Sequence, residues 1–374
     1  MIGAGLLAGL AFAAGMLIGG DAGTSGPSDG ATDVRAPFAL EPLPGGLSEA
    51  QLAGQRLVAG FDGTEAPAGL KQLVKSGRIA GVVIFADNVG SKGGLREAID
   101  ELQSLPRPEG LEAPLAVMTD QEGGAVERID GPPSASGAEM GREGTKFAAR
   151  QGRATGRLLA KVGVNIDLAP VLDVGRSGSA IAQEGRSFGS NPGTVIGTAV
   201  NGFAAGLRSE AVAATAKHFP GFGAAEVNTD FASQEIDVSR SKLRRVDEAP
   251  FGAFVEDGGE LVMLSNARYS AFGGEPAGLN RAIATRELRD RLGFGGVSVT
   301  DSLDAAAALE FGSRSEVALS AANAGSDILL YGDWETAREV GRTLAKNLGR
   351  GKLDREDFEA SVQRVLSLRA DLGG

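Results

Sequence analysis

From about Leu47 to the C-terminus the chain alternates short apolar or β-branched runs with helix-like stretches, the pattern of βα units on a parallel sheet. Eight runs read as strands: RLVAGF (56–61), GVVIF (81–85), LAVMTD (115–120), NIDLAPVLDV (165–174), VAATAKHF (212–219), ELVMLSN (260–266), GVSVTD (296–301) and DILLYG (327–332). Between them GLREAIDELQSL, FAARQGRATGRLLAKVG, NPGTVIGTAVNGFAAGLRS and EVALSAANAGS read as helices, several closing on glycine, as helix C-termini often do. Eight strands with intervening helices predict an α/β fold, a (β/α)₈ TIM-type barrel over residues 47–374, a length that such barrels occupy as one domain.

The polar punctuation sharpens this. Asp120, Asp173, adjacent Lys217 and His218, Asn266 and Asp301 fall at or just past the C-terminal ends of their strands, where barrel enzymes place their chemistry. An open doubly wound sheet puts ligands at the same ends, so position alone leaves both architectures standing. GFGGVSV fails as a dinucleotide loop because its glycines precede the strand instead of following it.

Upstream, residues 1–20 (MIGAGLLAGLAFAAGMLIGG) carry no charge, and residues 21–46 are rich in Gly, Pro, Ser, Thr and Asp. This reads as a hydrophobic signal or anchor segment followed by a flexible linker. The rest of the chain is then exported, either anchored to the cytoplasmic membrane by that segment alone or secreted; a buried helix of a soluble fold is the alternative. The 48 acidic and 37 basic side chains give a net charge of -11 with no basic block, which argues against nucleic acid as a partner. Zero cysteines exclude disulfides, thiolate metal sites and a cysteine nucleophile, and one histidine excludes a multi-histidine metal centre. Chemistry must rest on carboxylates, hydroxyls, lysine or that one imidazole.

Strand three ends in TDQEGGAVERI, where two glycines allow a tight turn that presents Asp120 to a barrel mouth, with Arg128 as a planar donor fork close behind. An N-capping Asp120 and a solvated Arg128 are the structural alternative. Arg186 stands in QEGRSFGSNP, a surface arginine unless the loop turns inward. Lys217 leaves the apolar run VAATA and is costly to bury unpaired. It and His218 face opposite ways in an ideal strand, but the following Pro and Gly bend the chain. Asp301 emerges from VSVT with the approach of a buried nucleophile, a metal ligand or a helix N-cap.

The segments GVVIFADN, TDQEGGAVERI, GVNIDLAPVLDV, GRSFGSNP, AKHFPGFG and LGFGGVSVTDSLD, in this order, resemble the catalytic barrel of glycoside hydrolase family 3, in particular its single-domain bacterial β-N-acetylglucosaminidases of peptidoglycan turnover. The resemblance implies a retaining hydrolase of β-linked N-acetylglucosamine in cell-wall glycans, with a carbohydrate as partner and no metal or organic cofactor. It implies Asp301 as the nucleophile, and Asp120, Arg128, Arg186, Lys217 and His218 as the residues holding the sugar hydroxyls. Lys217 and Arg186 are expected to keep Asp301 ionised by their positive charge.

One part of the family pattern is missing. Its glucosaminidases carry a histidine backed by an aspartate in the loop after strand five, roughly KHFPGHG followed by DSH, whereas this chain reads KHFPGFG followed by NTD. Phe222 replaces one histidine, Asn228 stands for the supporting aspartate and Asp230 for the catalytic histidine. With His218 the only histidine, the dyad is absent. Three readings follow: Asp230 or Glu226 serves as acid/base with Asn228 orienting it; proton donation is weak and only good leaving groups are cut; or the barrel binds glycans at the cell surface without hydrolysis. Asn266 also stands where relatives often carry histidine, which keeps a different sugar specificity open.

Overall fold

All eight predicted runs form strands: β1 Leu57–Ala59, β2 Gly81–Ile84, β3 Ala116–Thr119, β4 Ile166–Asp167, β5 Ala213–Phe219, β6 Leu261–Leu264, β7 Val297–Thr300 and β8 Leu329–Tyr331. This computed structural model describes residues 37–373, so the signal or anchor segment 1–20 and residues 21–36 of the expected linker lie outside the described residues. The strands run in parallel from β1 to β7 in sequence order, with β8 beside β1. A parallel bridge from Val299 to Ile328 joins the two ends, supported by donation from Thr300 N to Ile328 O at 2.9 Å. The sheet closes into a barrel, and the open-sheet alternative falls.

Period-two alternation makes closure favourable. Val58, Val83, Met118, Ile166, Met263, Val299 and Leu330 form an interior cluster, while their neighbours Leu57, Val82, Ile84, Val117, Leu264 and Tyr331 belong to the layer shared with the helices. β1, β2, β3, β6 and β8 are therefore apolar on both faces, as a parallel sheet covered on both sides requires, while β4, β5 and β7 set buried polar side chains such as Asp167, Thr215 and Ser298 on one face. The four helices expected above form at Lys92–Ser104, Thr145–Val162, across residues 192–208 and at Arg314–Ala324.

Two expectations change. The strand expected over 165–174 keeps a regular ladder only at Ile166–Asp167, because Pro170 has no N–H to give. The chain still follows β5, with Thr215 N donating to Ala169 O at 2.9 Å, Lys217 N to Pro170 O at 3.2 Å and Leu172 N to Lys217 O at 2.6 Å, and this carries Asp173 up to the mouth. The stretch 37–46, read as linker, is irregular but anchored. Phe38 completes the interior cluster with Val365 and Leu368 of helix Arg355–Asp371, and Glu41 N donates to Ser367 Oγ at 3.0 Å. An aromatic ring with a place in the core does not stay in solvent.

At the N-terminal end of β6, burial pushes the Glu260 carboxyl up to about 7, against the attraction of Arg208. A folded-state value above the unfolded one means that ionisation opposes folding. The penalty is absent below about pH 4.5, grows to about pH 7 and is complete above it. Glu260→Gln is expected to stabilise the protein by about 1–2 kcal/mol at pH 8, after discounting for partial exposure, and by nothing near pH 4. Urea unfolding at both values checks this; equal gains at both would refute it.

Candidate active site

The loop after β3 is fixed by one side chain. Gln121 Nε2 donates to Ile129 O at 2.8 Å and Pro132 O at 3.0 Å, while its Oε1 accepts from Arg128 N and Ile129 N, each at 3.1 Å. The turn between has Gly123 at φ 87° and Gly124 at φ 64°, and a Cβ on Gly123 would meet Ala135 O at 2.4 Å. Only glycine fits such a left-handed, crowded turn. The result aims Asp120 and Glu122 into the mouth.

There they meet Lys217. Its Nζ lies 2.5 Å from Asp120 Oδ1 and 2.7 Å from Glu122 Oε1. Arg186 grips Glu122 with both edges, Nε to Oε2 and Nη2 to Oε1 at 2.8 Å each, and reaches Glu184 at 3.2 Å. Arg128 Nη2 stands 3.8 Å from Asp120 Oδ2. Burial works against the Glu122 anion, but Lys217 and Arg186 overcome it and hold the carboxyl well below the usual range. Behind this cluster Asp167 accepts from Gln121 N at 3.0 Å and keeps Oδ2 unpartnered; burial pushes it well above the usual range.

β5 supplies both halves of the Lys217–His218 pair to the mouth because its register with β6 slips between Ala216 and Phe219, which breaks strict alternation. His218 Nδ1 lies 2.7 Å from Asp173 Oδ2, and Asp173 Oδ1 accepts from His218 N at 3.2 Å and Phe222 N at 2.6 Å. The Phe222 ring packs edge-on against the imidazole, centroids 5.6 Å apart. Past Ala225 the loop turns outward. Gln234 Oε1 accepts from Glu226 N and Val227 N, and Asn228 Oδ1 accepts from Asp230 N at 2.9 Å. Asn228 thus fixes the backbone of residue 230 rather than its carboxylate.

Asp301 tips β7. Its N–H donates to Leu264 O at 2.9 Å, and Ser302 N donates to its Oδ1 at 2.8 Å. Asn266 Nδ2 holds the next peptide by donating to Ser302 O at 2.6 Å. Burial pushes the Asp301 carboxyl up; the positive field of His218 and, more weakly, Lys217 opposes this, and Asp230 reinforces it. Arg186 does not take the part expected for it, because its guanidinium is committed to Glu122 and Glu184. Asp120, Arg128, Arg186, Lys217, His218, Asn228, Asp230 and Asp301 all line one open cleft of about 570 Å³, floored by Val83, Leu168, Met263 and Leu330 of the barrel interior. Glu226, the alternative donor, is not among its lining residues.

The sequence profile of the Glycosyl hydrolase family 3 N terminal domain matches residues 51–368. The chain belongs to glycosyl hydrolase family 3. Membership makes it a glycosidase. It is 36% identical over 330 residues to an uncharacterized secreted glycosyl hydrolase of Arthroderma benhamiae, covering 86% of this chain and 93% of that one. A family 3 β-N-acetylglucosaminidase from Paenibacillus superposes with a TM-score of 0.82 at 28% identity, over 88% of this chain and 64% of the larger enzyme. A β-N-acetylhexosaminidase from Beutenbergia cavernae gives 0.79 at 29% identity, over 88% of this chain and 100% of that one.

Sequence reasoning missed Glu122, the hub of this family 3 cleft, and Asp167 behind it. The signal for Glu122 was present: Lys217 and Arg186, once both are placed in the mouth, exceed what Asp120 alone neutralises, and Glu122 lies two residues away on the same turn.

Proposed function

We propose that this family 3 glycosidase is a retaining hydrolase of terminal β-linked N-acetylglucosamine, with Asp301 as nucleophile and Asp230 as acid/base. The observation that carries the reading is a pair of carboxylates on one cleft, Asp301 half-buried and fixed at the end of β7 and Asp230 exposed on the loop after β5. A retaining hydrolase needs two carboxyls on one cleft, one held at the anomeric carbon and one at the leaving oxygen. Asp301 attacks the anomeric carbon as the glycosidic bond breaks, and the Asp230 proton goes to the leaving oxygen. The Asp230 carboxylate then takes a proton from water, whose oxygen displaces Asp301 and restores the β configuration. Asp120, Arg128, Lys217 and His218 hold the sugar hydroxyls, with Arg186 acting through Glu122. The names of the Paenibacillus and Beutenbergia enzymes support the N-acetylated sugar.

The test compares two β-N-acetylglucosaminides, one with a phenolate that leaves easily and one with a poor alkoxide. Asp230→Ala is expected to lose about 10²–10⁴-fold in rate on the poor leaving group and far less on the good one. If the wild-type protein binds N-acetylglucosamine yet turns over neither compound, it is a glycan-binding barrel instead. A cell-wall substrate rests on the resemblance to the glucosaminidases of peptidoglycan turnover, and export, by anchor or secretion, on the uncharged residues 1–20. Fractionation of cells expressing the full chain checks export, and recovery in the cytosol would refute it.

A further inference from the structure

We propose that Phe231 is an apolar platform for the leaving-group side of the cleft, and that it receives a second hexopyranose through its C–H face. This rests on the reading of Asp230 as proton donor. Among the described residues the exposed large hydrophobics are Leu40, Val227 (44%), Phe231 (80%) and Phe311, and two of these four share the loop that carries Asp230. Phe231 also lines the cleft. Its exposure has a structural cause, since its N–H donates to Asn228 O at 3.2 Å while Asp230 N is bound by Asn228 Oδ1 at 2.9 Å. That turn points the aromatic ring away from the core.

The side of the cleft follows from the chemistry. A proton donor must reach the glycosidic oxygen, and the atoms beyond that oxygen belong to the leaving group. Phe231, next in the chain to Asp230, therefore borders the leaving group rather than the sugar attacked by Asp301. The two regions also differ in kind. Around Lys217 the cleft offers charged partners for hydroxyls, whereas Phe231 offers no hydrogen bond and recognises a flat apolar face. An equatorially substituted pyranose presents such a face; a charged or peptidic leaving group does not.

The experiment measures equilibrium binding of N-acetylglucosamine and of its β-1,4-linked disaccharide to Asp301→Asn, a background that leaves the disaccharide uncut. The disaccharide is expected to bind about tenfold more tightly, a gain of the size seen when a ring stacks on an aromatic side chain. Adding Phe231→Ala should bring that ratio close to one, and Phe231→Trp should keep it. The proposal is overturned if the ratio survives Phe231→Ala, if no preference for the disaccharide exists at the start, or if Phe231→Ala weakens both sugars equally, which would make the loop a lid over the first sugar. Failure of the hydrolase reading appears separately, as absent turnover by the wild-type protein.

Discussion

Asp301→Gly is expected to lower turnover of β-N-acetylglucosaminides by at least about 10⁴-fold, because Asp120, Glu122 and Glu184 on the cleft are held by Lys217 and Arg186 and Asp230 serves the leaving oxygen. A cavity where the carboxylate stood admits azide, which attacks from the side opposite the leaving group. Added azide should therefore restore turnover and give an α-glycosyl azide. Asp230→Gly with azide should give the β product instead, because azide then meets the glycosyl-enzyme from the other face. The product configuration separates the two roles in a way that a loss of folding cannot imitate. An α product from Asp230→Gly would exchange the assignments. The pH profile adds a second readout. Burial raises the Asp301 carboxyl from its ordinary value, and the nucleophile must be ionised, so kcat/KM should fall as pH drops through that raised value. His218→Gln removes the positive field that opposes the shift, and should move this acid limb to higher pH.

Glu122→Gln is expected to cost about 3–5 kcal/mol of stability, since it leaves the buried Lys217 and Arg186 without their shared anion. Three short contacts converge on this carboxylate, 2.7 Å from Lys217 and two at 2.8 Å from Arg186. Its folded-state value lies below the unfolded one, so its contribution is fully present above about pH 4.5 and is lost as pH falls through the depressed value. The gap between wild type and Glu122→Gln should accordingly be widest at neutral pH and close in strong acid. Urea unfolding at pH 7 and pH 3 measures it, and a constant gap would mean that the loss comes from packing rather than charge. Activity should fall with stability, because Lys217 and Arg186 owe their positions to Glu122.

The barrel itself was legible because each strand repeats one simple signal. A run such as GVVIF is apolar at every position, which only a strand covered on both faces tolerates, and eight short, mainly apolar runs separated by helices close a ring. Where a local rule was overridden the reading slipped. NIDLAPVLDV looked like one long strand, yet Pro170 ends the ladder after Asp167. Residues 37–46 looked like linker by composition, yet Phe38 finds a place in the interior. In the cleft, the residues at strand ends were readable because their place is set by the strand before them. Glu122 and Asp167 were not, because what marks Glu122 is a partner distant in sequence, Lys217, and what marks Asp167 is burial with its Oδ2 left unpartnered.

The sequence by itself determined the eight βα units, the family and the loss of the histidine dyad, since these depend on residue types and their order along the chain, while closure of the sheet into a barrel was seen only in the fold. Tertiary structure alone decided that Arg186 is spent on Glu122 rather than on Asp301, that Asn228 holds a backbone amide, and that Asp230, not Glu226, lines the cleft. These are matters of distance between segments 64 residues apart for Arg186 and Glu122, or of the path of one turn. Electrostatic pairing and hydrogen bonding act over a few ångströms, and only the folded chain sets which groups come that close.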